Sequence, residues 1–184
     1  MNTEIVFNTT IEKDYDDSII VRDGAKLTVL GDVYRPIEVK ANGAVIIRGH
    51  VDTLILYRTA KCFIYGTCRQ MAIRHGACWC HSVHICGGLV EHVHCDNGEI
   101  IVSGNAYIKE LVLEPGRLIT RGKARIDQVR MNRWSYLRLR EDTVVPHIKA
   151  SQGAAIELQN RFTTTQSFKQ NHQLKQGVRI TYRD

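Results

Sequence analysis

Residues 98–131 read GEIIVSGNAYIKELVLEPGRLITRGKARIDQVRM and contain two copies of one pattern. Moving the first copy by 18 residues brings six pairs of side chains into register. A period of this length is the signature of a repeat architecture. Inside each copy the apolar residues stand two apart and Gly, Asn or Pro interrupts them, which predicts strands and turns. The pairs are Ile100 with Leu118, Val102 with Thr120, Ala106 with Ala124, Ile108 with Ile126, Leu111 with Val129 and Leu113 with Met131.

The same register extends towards the N-terminus, where the segment 24–42 aligns with 43–59 and a glycine stands near each corner. Three short strands per 18 residues predict an all-β fold, a single-stranded parallel β-solenoid (β-helix) with three sides and about 18 residues per coil. Apolar residues at every sixth position, from Val21 to Val51, are typical of left-handed solenoids. Inward pairs two residues apart favour the right-handed form, which we expect here.

The repeat also predicts how the chain is divided. Residues 19–159 form the solenoid, although the pattern is interrupted at Pro146. Residues 1–18 do not fit the period and are expected to cap the N-terminal end, because a first coil would otherwise expose unpaired strand edges. Residues 160–184 are rich in polar side chains and end in a short alternating segment, so they are expected to form a C-terminal cap or arm.

The repeat resembles that of the bactofilins, the polymer-forming cytoskeletal solenoids of bacteria. The resemblance covers about residues 19–140 and is one of repeat style, carried by GAKLTVLGDV (24–33), GAVIIRGHV (43–51) and EIIVSGNAYI (99–108). It implies a rigid, self-assembling structural protein without catalytic activity. Two features depart from the bactofilin pattern: the Cys and His content of the third and fourth coils, and the long C-terminal segment.

The composition limits the cellular setting. No run of about 18 or more apolar residues is present, so no membrane span is expected. The N-terminus lacks a basic start followed by an apolar stretch, so a cytoplasmic location is expected. The six cysteines are therefore expected to be reduced thiols.

All six cysteines and five of the eight histidines lie between Cys62 and Cys95. Thiolates and imidazoles bind zinc when four ligands converge tetrahedrally. The repeat places Cys68 over His84, with Cys86 on the same side, so these three are the candidate ligands. Buried cysteine more often behaves as a small apolar side chain. We therefore expect no cofactor, although zinc could bind here, and the cysteines at 62, 68, 78 and 80 should be buried, reduced and metal-free.

The inward pattern of the fourth coil is expected to comprise Cys78, Cys80, His84 and Cys86, with Ser82 at the corner. After Gly87 and Gly88 two registers are open. In one Leu89 faces the core, and in the other Val93 and Cys95 do.

Positive charge is concentrated in the second half of the chain. Residues 1–100 contain 10 Lys and Arg against 12 Asp and Glu, whereas residues 101–184 contain 15 against 7. A basic surface can bind nucleic acid, an anionic membrane or an acidic protein, or it can simply be solvated. The aromatic residues Tyr107, Trp134 and Tyr136 lie nearby. The candidate residues for an anionic partner are Arg117, Arg121, Lys123, Arg125, Arg138 and Arg140.

Three functions are compatible with this sequence. The favoured one is a non-catalytic structural or interaction protein, a rigid solenoid that docks on a macromolecular partner or self-assembles, most simply as a homodimer. The second is a protein that binds nucleic acid or another anionic partner through the Arg117–Arg140 region. The third is a metal-dependent enzyme that uses the Cys and His residues of 62–95, although no familiar catalytic motif is present.

Overall fold

The computed structural model describes residues 2–74, 82–140, 142–159 and 172–182. Within these ranges the chain is all-β, without a helix, and every strand pairing is parallel. Successive strands stack at offsets of about 18 residues, as for Ile108 against Ile126. The chain is therefore a parallel β-solenoid, as predicted from the repeat. At about 4.8 Å per rung, ten stacked strands make a rod roughly 40 Å long. Its right-handed winding stays a prediction.

One side of the solenoid is a ten-stranded sheet, to which each rung contributes one strand. Its strands are β2 (Thr9–Ile11), β4 (Lys26–Val29), β7 (Ala44–Ile47), β9 (Lys61–Ile64), β11 (Ser82–Ile85), β13 (Gly98–Ser103), β15 (Gly116–Arg121), β17 (Tyr136–Arg140), β20 (Ala155–Gln159) and β22 (Arg179–Tyr182).

A twelve-stranded sheet bends around the other two sides. Two short strands of one rung, Asp32–Val33 and Ile37–Val39, pair with the two halves of the long strand His50–Tyr57 in the next rung. The bend lies between these two halves. At this bend two consecutive residues, Asp52 and Thr53, both face outward. The alternation of inward and outward side chains begins again at Leu54. The strands are β1 (Asn2–Ile5), β3 (Ser18–Val21), β5 (Asp32–Val33), β6 (Ile37–Val39), β8 (His50–Tyr57), β10 (Thr67–Arg74), β12 (Leu89–Cys95), β14 (Ala106–Leu113), β16 (Ala124–Met131), β18 (Thr143–Val144), β19 (His147–Ala150) and β21 (Gln173–Leu174).

The core is a continuous column of aliphatic side chains enclosed by the three sides. Five inward positions predicted from residues 98–131 are confirmed, because their side chains have no measurable exposure. Each inward side chain stacks on its counterparts one rung above and below, which removes apolar surface from water along the whole rod. The five predicted core residues are Ile100, Val102, Ile108, Leu118 and Ile126.

The predicted inward pattern of the fourth coil is wrong. Val83 and Ile85 face the core, while His84 and Cys86 lie on the outer surface. The residues before β11 lengthen this coil, so Val83 stacks on Cys62 at an offset of 21 residues. Burying valine and isoleucine stabilises the coil, whereas burying an imidazole would cost its hydration. Ser82 is the first residue of strand β11, so its predicted place at a corner is also wrong. Cys78 and Cys80 lie outside the described residues.

The open register after Gly88 is also resolved. Val90, Val93 and Cys95 face the core, and Leu89 is half-buried. Val90 stacks on Cys68 of the preceding rung. Cys68 therefore does not stack on His84, which was the expected neighbour.

A column of glycines marks one corner of the solenoid, between the ten-stranded sheet and the next side. A Cβ atom built on Gly66 would lie 2.1 Å from the carbonyl oxygen of Gly49, and one on Gly49 would lie 2.1 Å from that of Gly31. Gly88 approaches the Gly66 oxygen in the same way. The coils approach so closely here that any side chain would overlap the backbone of the preceding rung.

Both ends of the chain add strands to the ladder. In the segment predicted as an N-terminal cap, β1 and β2 pair with β3 and β4. In the C-terminal segment, β21 and β22 pair with β19 and β20. The role of these end strands as caps stays a prediction.

Candidate functional site

The outer face of the ten-stranded sheet carries three rows of side chains that run along the solenoid axis, because outward positions stack from rung to rung. We call it the basic face. Its first row includes Lys26, Ala44, Lys61, Glu99, Arg117, Tyr136, Ala155 and Arg179. Its central row includes Thr28, Ile46, Phe63, His84, Ile101, Ile119, Arg138, Glu157 and Thr181. Its last row includes Arg48, Tyr65, Cys86, Ser103, Arg121, Arg140 and Gln159.

Charge on this face is strongly one-sided. The named positions hold eight basic side chains and two carboxylates, Glu99 and Glu157, and Glu12 in the first rung of the last row adds a third carboxylate. Basic side chains therefore exceed acidic ones by five on this face. The other two sides alternate in sign, as where Arg69 pairs with Asp52 and Lys109 pairs with Glu91. The unbalanced positive charge of the molecule therefore lies mainly on one face.

Two of the arginines are held by carboxylates. Arg138 contacts Glu157 at 2.8 Å, and the Tyr136 hydroxyl donates a hydrogen bond to the same carboxylate. Burial and the neighbouring Glu157 raise the pKa of Tyr136, so it remains a neutral donor. Arg117 contacts Glu99 at 3.3 Å. These pairs order the surface and offset part of its charge.

Three other cations have no such carboxylate contact among the described residues. Arg121, Lys123 and Arg140 are exposed, and no ion pair joins them to another described residue. Arg140 is nevertheless fixed at its backbone, because its N–H donates a 2.8 Å hydrogen bond to the buried hydroxyl of Thr120. The side chain of Thr120 thus ties β17 to β15 at the end of their ladder.

The central row is apolar over much of its length. The rings of Phe63 and His84 stack with centroids 5.1 Å apart and an interplanar angle of 12°. Ile101 and Ile119 face outward but are only 6% and 8% exposed, so neighbouring side chains cover them. Long arginine side chains pack their aliphatic stems on apolar surface and keep their guanidinium groups in water. The central row therefore supports the cations beside it.

His84 is the titratable group in the middle of this face. It lies between Phe63 and Ile101 in the ladder, and its partial burial lowers its pKa. The positive charge of Arg121 lowers this pKa further, whereas Glu99 acts in the opposite direction. The imidazole is therefore neutral at neutral pH.

Arginine–aromatic pairs border the basic face. Arg48 lies over the Tyr65 ring at 5.0 Å, and Arg117 lies over Tyr136 at the same distance. At the turn before β17, Arg133 lies 5.5 Å from the Trp134 ring, which is 68% exposed. Sequence reasoning did not identify Arg48, Phe63 and Tyr65 as members of this face. The same register that located the core would have found them if it had been applied to outward positions.

The structure brings together four of the six cations predicted to bind an anionic partner. Arg117, Arg121, Arg138 and Arg140 share the basic face, and Lys123 lies at the corner beside it. Arg125 lies around that corner on β16 and contacts Asp127 at 2.7 Å, so it belongs to another side.

The candidate zinc ligands are not brought together. Cys68 faces the core from β10, whereas His84 and Cys86 lie on the outer surface of the ten-stranded sheet. Within the described ranges, no three His, Cys, Asp or Glu residues are placed to hold a metal ion.

The buried cysteines are unreactive thiols. Cys62 and Cys68 are buried, as predicted, and both are free thiols. Burial raises the pKa of Cys68 to about 12, and it raises that of Cys62 well above its usual value. Low-pKa, exposed thiolates are the reactive ones, so neither cysteine suits nucleophilic chemistry.

His92 and His94 also belong to the Cys- and His-rich region 62–95 that the sequence offers for a metal-dependent enzyme. They point outward from β12, where His92 contacts Glu110 at 3.2 Å and His94 contacts Glu114 at 3.0 Å. They lie on a different sheet from His84. The three histidines therefore do not form one site.

Comparison with known proteins gave no relationship. No protein-family model matches the chain, and neither a curated protein nor a solved structure does. Among the described residues, no helix is long and apolar enough to cross a membrane.

Proposed function

We propose that this chain is a non-catalytic interaction protein, a rigid β-solenoid that docks a polyanionic macromolecule on its basic face. The observation that carries the proposal is the excess of five basic over acidic side chains on that face. The resemblance to bactofilins supports a structural role through the repeat alone. The rod supplies the rigidity, because its described strands are hydrogen-bonded from rung to rung around a continuous buried core.

The placement of the charges favours docking over mere solvation. A solvated face would be expected to mix the two signs, as the other sides of this solenoid do. Here Arg121, Lys123 and Arg140 lie together without a carboxylate partner among the described residues. Adjacent like charges repel one another, and a bound polyanion would relieve that repulsion.

The same charge makes the basic face a poor self-association surface. Two copies docked face to face would bring positive rows against positive rows in either orientation. Like-charge contacts of this kind cost free energy across an interface. An occupant of this face must therefore carry negative charge.

Reversing two charges tests the proposal. We expect the double variant R121E/R140E to bind heparin, a sulfated polyanion, about tenfold more weakly at low salt. The slope of the logarithm of the binding constant against the logarithm of the salt concentration should fall by the equivalent of about two ionic contacts. The measurement is the heparin dissociation constant as a function of NaCl concentration.

A control of equal charge lies on another side of the same rungs. Arg130 and Lys149 are exposed ladder neighbours on β16 and β19, and Arg130 also contacts Glu110 at 3.1 Å. R130E/K149E changes the net charge by the same amount and should bind heparin almost as well as the original chain. Equal losses in the two double variants would mean that only the total charge matters, and the basic face would not be the site.

End-to-end association is a second candidate function. Val6 and Phe7 are 52% and 79% exposed beside the first strands, and terminal strands carry open backbone donors and acceptors. We propose a discrete oligomer, with a dimer as the simplest form. If residues 160–184 cap one end or reach a neighbouring copy, their deletion should produce either larger assemblies or monomers in sedimentation analysis. An unchanged oligomeric state and melting temperature would exclude both roles.

A further inference from the structure

We infer that the polyanion docked on the basic face is single-stranded nucleic acid, with phosphates along the last row and bases against the aromatic residues that border the face. This inference rests on the proposed function and adds the chemical class of the partner. Heparin, acidic proteins and anionic membranes share the negative charge but lack the bases.

The kind of cation is the first argument. Six of the eight basic side chains on the face are arginines, at positions 48, 117, 121, 138, 140 and 179. The planar guanidinium donates paired hydrogen bonds that match phosphate oxygens, whereas an ammonium group acts as a point charge. An arginine-rich face therefore favours phosphate as the anionic group.

The arrangement of the free cations is the second argument. Arg121 and Arg140 lie on adjacent rungs in the last row, and Arg48 lies four rungs before Arg121 in the same row. The intervening positions are Tyr65, Cys86 and Ser103, none of which is a carboxylate. A phosphodiester chain lying along this row would meet cations at both ends and no carboxylate between them.

The aromatic residues are the third argument, because they distinguish nucleic acid from other polyanions. Tyr65 is 46% exposed within the last row, and Trp134 is 68% exposed at the turn that leads into the first row. Each has an arginine within 5.5 Å of its ring centroid. Exposed rings beside arginines are the combination by which proteins stack the bases of single strands without reading their sequence.

The shape of the face selects a single strand over a duplex. Reading a duplex requires a helix or a β-ribbon that enters a groove. The described residues contain no helix, and the basic face is the outer surface of a sheet. In a duplex the bases are also stacked inside and cannot reach Tyr65 or Trp134. A single strand leaves them free to do so.

The test is fluorescence anisotropy of a labelled 20-nucleotide dT strand with the full-length chain. We expect binding that weakens as salt rises, with a logarithmic slope of about −0.7 for each phosphate contact. R121E/R140E should weaken binding about tenfold, and R130E/K149E should leave it nearly unchanged. The 20-base-pair duplex should bind more weakly than the single strand at the same salt concentration.

The stacking residues are tested separately with Y65A/W134A. This variant keeps every charge, so it should bind heparin normally and dT20 about tenfold more weakly. Y57A is its control, since Tyr57 lies on the twelve-stranded sheet with Lys40 over its ring. Thermal melting of each variant shows whether the solenoid remains folded.

The outcomes separate the two proposals. If heparin binding depends on Arg121 and Arg140 but dT20 binding is unaffected by Y65A/W134A, the nucleic-acid inference is wrong and polyanion docking stands. A clear preference for duplex, or for vesicles containing phosphatidylserine, overturns the inference in the same way. If neither heparin nor dT20 binds at 50 mM salt, both proposals are wrong.

Discussion

Replacing Gly66 with alanine is expected to destabilise the solenoid by at least about 3 kcal/mol, the upper part of the usual range for overpacking a tight site. The added Cβ would lie 2.1 Å from the Gly49 carbonyl oxygen and 2.5 Å from that of Arg48. Both contacts are with backbone, so no side chain can rotate away. Relief requires separating two rungs, which would lengthen the 2.9 Å hydrogen bond from the Thr67 N–H to the Gly49 oxygen. Urea unfolding of the full-length variant measures this loss.

Gly24 provides a control that separates close approach from backbone conformation. Its φ of +72° is unfavourable for alanine, but no atom lies within 4 Å of a Cβ at that position. G24A should therefore cost only the strain of a left-handed conformation, roughly 1–2 kcal/mol. Gly66 does not have a positive φ, so its cost comes from the approach of the neighbouring rung. A G66A loss no larger than that of G24A would contradict the close packing of this corner.

Much of the fold follows from one property of the sequence, its 18-residue period. Because stacked rungs repeat the same environment, aligning Ile100 with Leu118 predicts both their burial and their pairing, and the structure confirms both. The period fails where the rung length changes. Before β11 the offset between stacked residues rises to 21, and the alternation moves by one position at Val83. Histidine and cysteine occur on either face of a strand, so their presence did not reveal the change.

The candidate site could be predicted only in part. The concentration of arginines between 117 and 140 is visible in the sequence, and four of them share the basic face. The sequence does not show which of these arginines contact a carboxylate and which do not. Arg138 is paired because Glu157, only 5% exposed, lies next to it on the following rung. Arg48 and Tyr65 are far from Arg121 in the chain. They join the same row because outward residues stack across five rungs, and their separation in the chain conceals this proximity.

Replacing Ile108 with alanine should cost about 2–5 kcal/mol, because the substitution removes three carbons from a site that cannot collapse. Ile108 has no exposure and stacks between Val90 and Ile126 in the ladder. Strand pairing fixes the backbone on both sides, so the neighbouring rungs cannot close the cavity. Ile55 is the control: it faces outward from β8, its ladder neighbour is Ala72, and I55A should cost less than about 1 kcal/mol. Chemical denaturation compares the two. Since stability adds along a stacked array, a loss at Ile108 weakens the rungs that present the basic face on both sides of it. A loss below about 0.5 kcal/mol would mean that residue 108 does not face the core, and the 18-residue register that places the arginines would be wrong with it.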